Sequence, residues 1–184
     1  MNSQTFNNYL LAIIPPEPVL SDAMKLKDSI KNNLVFDGQF SLPPYIKIMK
    51  MFEWNDKEEY MLVHYLKNII PVCNSLNIEL SGLGICKNKN EIFIEVANKK
   101  EVNSINETFY KYFFAHYFSS QQIELNAETT NLIIGNGDLR SNSLTKAWNV
   151  LIDKNFYGEF IADKICLYME VAGTWQKKYC FDLE

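Results

Sequence analysis

The sequence is poor in the residues on which most catalytic and metal sites depend. Its 184 residues include two histidines, His64 and His116, and a single arginine, Arg140. The four cysteines show neither the CxxC nor the Cys/His spacing typical of a zinc site. They are Cys73, Cys86, Cys166 and Cys180. We therefore predict no metal site and no cofactor, and we expect all four cysteines to be reduced thiols in the core of the protein.

The charge distribution excludes another class of function. The net charge is −4, and lysine and glutamate alternate along the chain without forming a basic stripe. Proteins that hold long nucleic acids by electrostatics need many clustered cations, so we expect no such partner for this chain. One small anion in a cleft needs only one or two local donors and remains compatible with the sequence.

Targeting signals and membrane spans are missing from the pattern as well. The first residues, MNSQTFNNYLLAIIPPEP, have no basic segment and no small-residue cleavage site. No apolar run approaches the length needed to cross a bilayer. These features predict a cytoplasmic protein.

What the chain does contain is a well-mixed globular composition. Apolar residues make up 47% and aromatic residues 14% of the sequence, which argues against disorder. A chain of this length can bury one substantial core. We therefore predict one compact domain, 1–184, that folds as a unit and has two lobes.

Helical and extended patterns alternate along the chain. Apolar residues recur every three or four positions in the predicted helices, and β-branched residues dominate the predicted strands. The predicted strands are 8–15, 42–54, 78–86, 91–97, 131–134, 156–162, 164–172 and 175–183. The predicted helices are 18–33, 56–74, 101–118 and 144–154. Within the second helix, Tyr60, Val63 and Leu66 are predicted on the inner face.

Two short strands occupy matching places in the two halves. Residues 42–54, LPPYIKIMKMFEW, predict one strand with Tyr45, Lys47, Met49 and Met51 on one face. Residues 130–135, TNLIIG, predict a similar short strand in the second half. Each follows a strand and a helix, so the chain shows a weak internal repeat. The repeat predicts an α+β protein in which two similar lobes place these two matching strands across a cleft.

With this order of elements the chain resembles the 2H phosphoesterase superfamily, which includes the bacterial 2′-5′ RNA ligases and cyclic phosphodiesterases. Family members have a proline-preceded HxTx strand before a phenylalanine, a second HxTx strand and a closing strand pair. Here the segment Pro44 to Phe52 matches the first, and ADKICLYMEVAGTWQKKYCFDL is the strongest local match. The resemblance covers nearly the whole chain. It implies a bilobed fold of two pseudo-symmetric βαβ-type lobes, with antiparallel sheets around a central cleft.

The resemblance also implies a catalytic site, but the residues that would form it are replaced. In the family, the two histidines act as general base and general acid, and the threonines hold the phosphate. The matching positions here are Tyr45 and Lys47 in the first motif, and Asn131 and Ile133 in the second. Asparagine does not titrate and isoleucine offers a phosphate nothing. Tyrosine and lysine would each need a pKa depressed by several units to act as a base near pH 7.

Lys47 supports two interpretations that the sequence leaves open. Its ammonium could anchor an anion where the threonine stood, with Tyr45 and Asn131 as neighbouring donors and Arg140 reaching in from the following loop. Alternatively, Tyr45 and Lys47 are half-exposed residues of a site that has decayed. The helical patterns around His64 and His116 predict that neither histidine replaces the missing pair.

Three functions follow from these residues. The leading hypothesis is a protein similar to 2′-5′ RNA ligases that has lost the catalytic histidine pair and binds a small phosphorylated or nucleotide-like ligand. The second is an active phosphodiesterase or RNA-ligase-like enzyme that uses Tyr45 and Lys47. The third is a protein-interaction module, whose sign would be an exposed apolar patch without a concave polar cleft.

Overall fold

The computed structural model describes residues 5–33, 42–49, 51–114, 130–136 and 141–184. Within these ranges the strands are β1 Phe6–Ile13, β2 Tyr45–Lys47, β3 Phe52–Asn55, β4 Leu76–Cys86, β5 Glu91–Val96, β6 Leu132–Gly135, β7 Tyr157–Ala162, β8 Lys164–Val171 and β9 Thr174–Asp182. The α-helices are α1 Val19–Asn33, α2 Glu59–Ile69, α3 Lys99–Phe109 and α4 Ser141–Leu151. Helices α1 to α4 thus fall within or near the segments predicted to be helical.

The strands form one curled antiparallel sheet that passes through both halves of the chain. Its order is β7-β4-β5-β6-β2-β1-β8-β9, and β3 pairs with β1 beside this path. The junction between the halves is the pairing of β2 with β6, which are the two strands that the repeat singled out. The fold is therefore α+β with antiparallel pairing, as predicted. The matching strands lie side by side in the sheet at its middle.

The two faces of the sheet bury different sets of residues. Along β1, Tyr9, Leu11 and Ile13 belong to the main core, which also takes the apolar face of the helices. The alternate residues Leu10 and Ala12 belong to a smaller apolar cluster on the opposite face. This division follows from the two-residue period of a strand. The smaller cluster marks the face of the sheet that is free of the main core.

The segment 42–54 is two strands and a bend, so its prediction as a single strand is wrong. β1 advances three residues from Tyr9 to Ala12 while its partners advance five, from Phe52 back to Lys47. The extra residues cannot stay in register, so the chain bends between β2 and β3. Met49 consequently packs in the main core and Met51 is 58% exposed. Met49 therefore lies on the opposite face from Tyr45, contrary to the prediction, whereas Met51 lines the same cavity as Tyr45.

Helix α2 begins after a short 3-10 turn, Asp56–Glu58, which Asn55 caps by accepting from the backbone N–H of Lys57. The α-helix ends at Ile69 and another 3-10 turn containing Pro71 follows, because proline cannot donate to the helical ladder. Val63 and Leu66 are buried as predicted. Tyr60 is 72% exposed, so its assignment to the inner face is wrong. It lies in the first turn, where the helix has only begun to pack.

One pair of cysteines is bonded, which corrects the expectation of reduced thiols throughout. Cys166 and Cys180 lie directly opposite each other on β8 and β9, with Cα atoms 4.1 Å apart, and form a disulfide. The two cysteines are 14 residues apart in the sequence, and this spacing did not predict that they are neighbours. The register of the hairpin formed by β8 and β9 brings them together. Cys73 and Cys86 are free. Disulfides are rare in cytosolic proteins, so the cytoplasmic location stays a prediction.

Within the described ranges of the chain, no helix has both the length and the apolar character needed to cross a bilayer.

Candidate ligand-binding cleft

The cleft face of the sheet is centred on the pairing of β2 with β6. Tyr45 lies opposite Ile133 and Ile46 lies opposite Leu132. Tyr45 and Ile133 belong to the smaller apolar cluster, whereas Ile46 and Leu132 belong to the main core. The first position of one motif and the third position of the other therefore face the cleft as a pair. The structure brings Tyr45 and Ile133 together, and both are buried.

Tyr45 is held by a hydrogen bond at the bottom of the cleft. The side-chain amide of Asn136, which follows β6, donates to the Tyr45 hydroxyl over 2.6 Å. Burial, reinforced by the negative charge of Glu91, raises the pKa of Tyr45 well above its usual range. The residue is therefore a neutral phenol at physiological pH. A neutral phenol can offer a ligand a hydrogen bond, but it cannot accept a proton as a base.

Lys47 lies beside a carboxylate. Its Nζ is 3.7 Å from Glu91 Oε1, and the Lys47 side chain is 23% exposed. Glu91 is itself buried at the start of β5. This neighbour offsets the positive charge that the sequence placed at the motif position. Two cavities open beside Tyr45, and the described residues that line them do not include Lys47.

Asn131 has a structural contact that the sequence did not reveal. It precedes β6 and is 7% exposed. Its Oδ1 accepts from the backbone N–H of Val96 at the end of β5, over 3.3 Å. The side chain thus extends the pairing of the two strands by one hydrogen bond and satisfies a buried donor.

Two adjoining cavities open beside Tyr45. The larger has a volume of about 540 Å³ and is lined by Asn8, Leu10, Leu42, Tyr45, Met51, Phe52, Glu53, Asn136, Glu170 and Trp175. The smaller has a volume of about 30 Å³ and is lined by Lys27, Leu42, Tyr45, Ile133, Ile134, Gly135, Asn136 and Trp175. Half of the smaller lining is shared with the larger cavity, so the two form one concave site with a recess.

Lys27 reaches this site from helix α1. The residue is 6% exposed, and its Nζ donates to the carbonyl of Leu42 in a short hydrogen bond. Burial lowers the pKa of Lys27 to about 8; the nearby carboxylate of Asp28 opposes this shift and the charge of Lys31 adds to it. The ammonium therefore lies in a partly desolvated position next to the recess.

The carboxylates of the larger cavity differ from this recess in charge. Glu53 and Glu170 both line it. The carboxylate of Glu170 accepts from the side-chain amide of Asn8 over 2.8 Å, which orients both groups towards one edge. The outer cavity thus combines acceptors with the aromatic ring of Trp175. Such a lining suits a ligand whose hydroxyl groups donate to the carboxylates and whose planar base stacks on the tryptophan ring.

Several predicted residues fall outside this geometry. Arg140 and His116 lie outside the described residues. His64 is exposed on α2, where its ring approaches Asn68. Within the described ranges, no cluster of histidine, cysteine, aspartate or glutamate side chains could hold a metal ion.

Lys27, Asn136 and Trp175 are among the lining residues that sequence reasoning missed. Lys27 looked like one more cation on the polar face of an amphipathic helix, and no signal in the sequence distinguished it from its neighbours. Trp175 was assigned only to a strand. Asn136 had a usable signal, because it lies between two glycines directly after the second motif strand.

Solved structures share this fold over nearly the whole chain. The crystal structure of E. coli LigT with NADP+ matches with a TM-score of 0.61 at 9% identity, covering 97% of this chain and 99% of LigT. TT0787 of Thermus thermophilus matches with a TM-score of 0.62 at 10% identity, over 95% of this chain and 97% of that one. Usb1 of Kluyveromyces marxianus matches with a TM-score of 0.53 at 13% identity, covering 93% of this chain and 96% of Usb1.

LigT has also been crystallised with phosphate, with 3′-AMP and with ATP. No family model and no curated protein sequence matches the chain. The likeness is therefore one of fold.

Proposed function

We propose that this chain, which adopts the fold of the 2H phosphoesterases, binds a small phosphorylated or nucleotide-like ligand in its cleft and lacks the acid-base chemistry of a histidine pair. The observation that carries the proposal is the concave site of about 540 Å³ beside Tyr45, at the junction of the two repeated strands. LigT, which shares the fold, has been crystallised with several ligands of this class.

The strand register supports the assignment of the motif positions. Because Tyr45 pairs with Ile133 and Ile46 with Leu132, the two motifs are related by a local two-fold axis. Continuing the register brings Lys47 level with Asn131. This register supports the proposal that the four positions that the resemblance gives to two histidines and two threonines are neighbours on β2 and β6. They hold no group that titrates near neutral pH without a large pKa shift.

The contacts of Tyr45 and Lys47 argue against the enzyme alternative. A base at position 45 needs a lowered pKa, and burial raises the pKa of Tyr45 instead. The Nζ of Lys47 is 3.7 Å from Glu91 Oε1, and Lys47 is absent from the described linings of both cavities, so it is not positioned to take a proton from a ligand there. The interaction-module alternative predicts a surface without a concave polar cleft, so the cavity favours ligand binding. Arg140 keeps its predicted role as an additional anion donor.

Calorimetric titration with 3′-AMP, 2′,3′-cyclic AMP and a short RNA tests the proposal. We expect saturable binding of at least one probe. Base stacking on a tryptophan contributes about 1–3 kcal/mol, so Trp175→Ala should weaken binding by about five- to 150-fold. Tyr60→Ala, a change at an exposed aromatic residue that lines neither cavity, should leave affinity unchanged.

The catalytic part is tested separately by following 2′,3′-cyclic AMP for product. We expect no turnover above the buffer rate. Absence of binding by all three probes would refute ligand binding, and turnover that disappears in Tyr45→Phe or Lys47→Met would restore the enzyme hypothesis.

A further inference from the structure

The recess beside Lys27 differs from the rest of the cleft in charge. Lys27 is the one residue of helix α1 with both a charge and a buried side chain, since the described charged residues around it are exposed. Its amine already donates to the Leu42 carbonyl, so its position is defined by a contact within the cleft. An ammonium in a desolvated position interacts more strongly with an anion than one in water does.

The size of the recess limits what can enter it. Its volume of about 30 Å³ has room for about two water-sized groups. Two oxygens of a tetrahedral anion fit that space, whereas a nucleoside does not. Besides the amine of Lys27, the recess is lined by Asn136, which has a side-chain amide, and by Gly135, which has only backbone atoms. The apolar residues Ile133 and Ile134 complete this part of the lining. The recess therefore suits the end of a ligand.

The larger cavity has the opposite preference. Glu53 and Glu170 line it and repel an anion, whereas their oxygens can accept from hydroxyl groups. A ligand with one anionic end therefore has a favoured orientation, with that end in the recess and the remainder against Trp175.

We infer that Lys27 binds the terminal phosphate of a phosphomonoester whose nucleoside-like remainder occupies the larger cavity, an inference that rests on the proposed function. A cyclic or internal phosphodiester is bonded on two sides and presents only two unesterified oxygens in a wider group. Its phosphate carries one negative charge, whereas that of a phosphomonoester carries about 1.5 to 2 at pH 7, so the ammonium of Lys27 attracts the monoester more strongly. The site thus selects monoesters over diesters.

The lowered pKa of Lys27 agrees with this role. With a pKa of about 8 the amine remains mostly protonated at neutral pH, and a bound dianion raises that pKa again. Charged hydrogen bonds of this kind contribute enough to change affinity by roughly ten- to a hundredfold.

The experiment compares 3′-AMP, adenosine and 2′,3′-cyclic AMP by calorimetry in the full-length protein. In the wild type, we expect 3′-AMP to bind at least about tenfold more tightly than either other probe. In Lys27→Met, 3′-AMP should lose about ten- to a hundredfold in affinity while adenosine stays within about twofold. Lys25→Met changes an exposed lysine of the same helix and should alter neither.

Each other outcome has a distinct meaning. Failure of all three probes to bind the wild type overturns the proposed function and this inference together. Binding of 3′-AMP that survives Lys27→Met overturns the role of Lys27 alone. Binding of 2′,3′-cyclic AMP that is as tight as that of 3′-AMP overturns the preference for monoesters.

A second measurement on the wild-type protein does not depend on how a variant folds. Acetylation of lysines by a water-soluble anhydride is mapped by mass spectrometry with and without each probe. We expect 3′-AMP, and not adenosine, to slow acetylation of Lys27 while Lys25 reacts at an unchanged rate. Equal rates at Lys27 with 3′-AMP and with adenosine would contradict the proposed contact.

Discussion

The buried amine of Lys27 makes a prediction about stability that requires no ligand. Burial lowers its pKa to about 8, so between this value and the ordinary value of 10.5 the unfolded chain holds more protons than the folded protein. The free energy of unfolding must then rise with pH across that window. One pKa unit corresponds to about 1.4 kcal/mol, so the full effect is on the order of 3 kcal/mol.

Lys27→Met isolates this effect because it removes the titrating group and keeps an unbranched side chain. The Leu42 carbonyl loses its donor, which costs about 1 kcal/mol and shifts the variant by a constant amount. The pH-dependent part is separate from that offset. We expect the unfolding free energy of the variant minus that of the wild type to fall by about 3 kcal/mol between about pH 7 and pH 10.5.

Urea unfolding at intervals of about one pH unit measures this difference. The slope of unfolding free energy against urea concentration should be the same for variant and wild type, as expected if both unfold in two states. Lys25→Met is the matched control on the same helix. The carboxylate of Asp22 raises the pKa of Lys25, so the corresponding difference should rise with pH. A difference for Lys27→Met that is constant with pH, or that rises, would refute the claim that a charged amine is buried in the cleft.

The remaining predictions concern the motif positions. Lys47→Met leaves the buried Glu91 without its cationic neighbour and should lower the unfolding free energy by about 1–3 kcal/mol in urea unfolding. An unchanged unfolding free energy would contradict a stabilising ion pair. Tyr45→Phe removes the hydroxyl that accepts from Asn136 and should cost about 1 kcal/mol in the same assay, while unchanged stability would show that the bond contributes nothing. Asn131→Ala should cost about 1–2 kcal/mol in the same assay, because the backbone N–H of Val96 loses its acceptor; unchanged stability would contradict the role of Asn131 in extending the strand pairing.

Local pattern was sufficient for most of the fold. The C-terminal strands, the hairpin of β4 and β5 and the apolar face of α1 all have residues that repeat at the period of the element they form. The failure over 42–54 has a physical cause. Alternation of side chains suggests a continuous strand, but β1 has too few residues to pair with all of it.

Pairings between distant parts of the chain were beyond the sequence. Nothing in the spacing of Cys166 and Cys180 indicated that the register of the final hairpin would place them opposite each other. In the same way, Lys47 and Glu91 are far apart in the chain and meet only because β5, β6 and β2 are neighbours in the sheet.

The sequence by itself determined the α+β fold, the repeated strands and the absence of a histidine pair from them, because these depend on residue type and local period. Tertiary structure decided which groups share the cleft. It set Lys47 against Glu91, used Asn131 to extend the pairing of two strands, and brought Lys27 from a helix to the recess beside Tyr45. Charge, burial and hydrogen bonding are properties of neighbours in space, and the order of residues along the chain does not specify those neighbours.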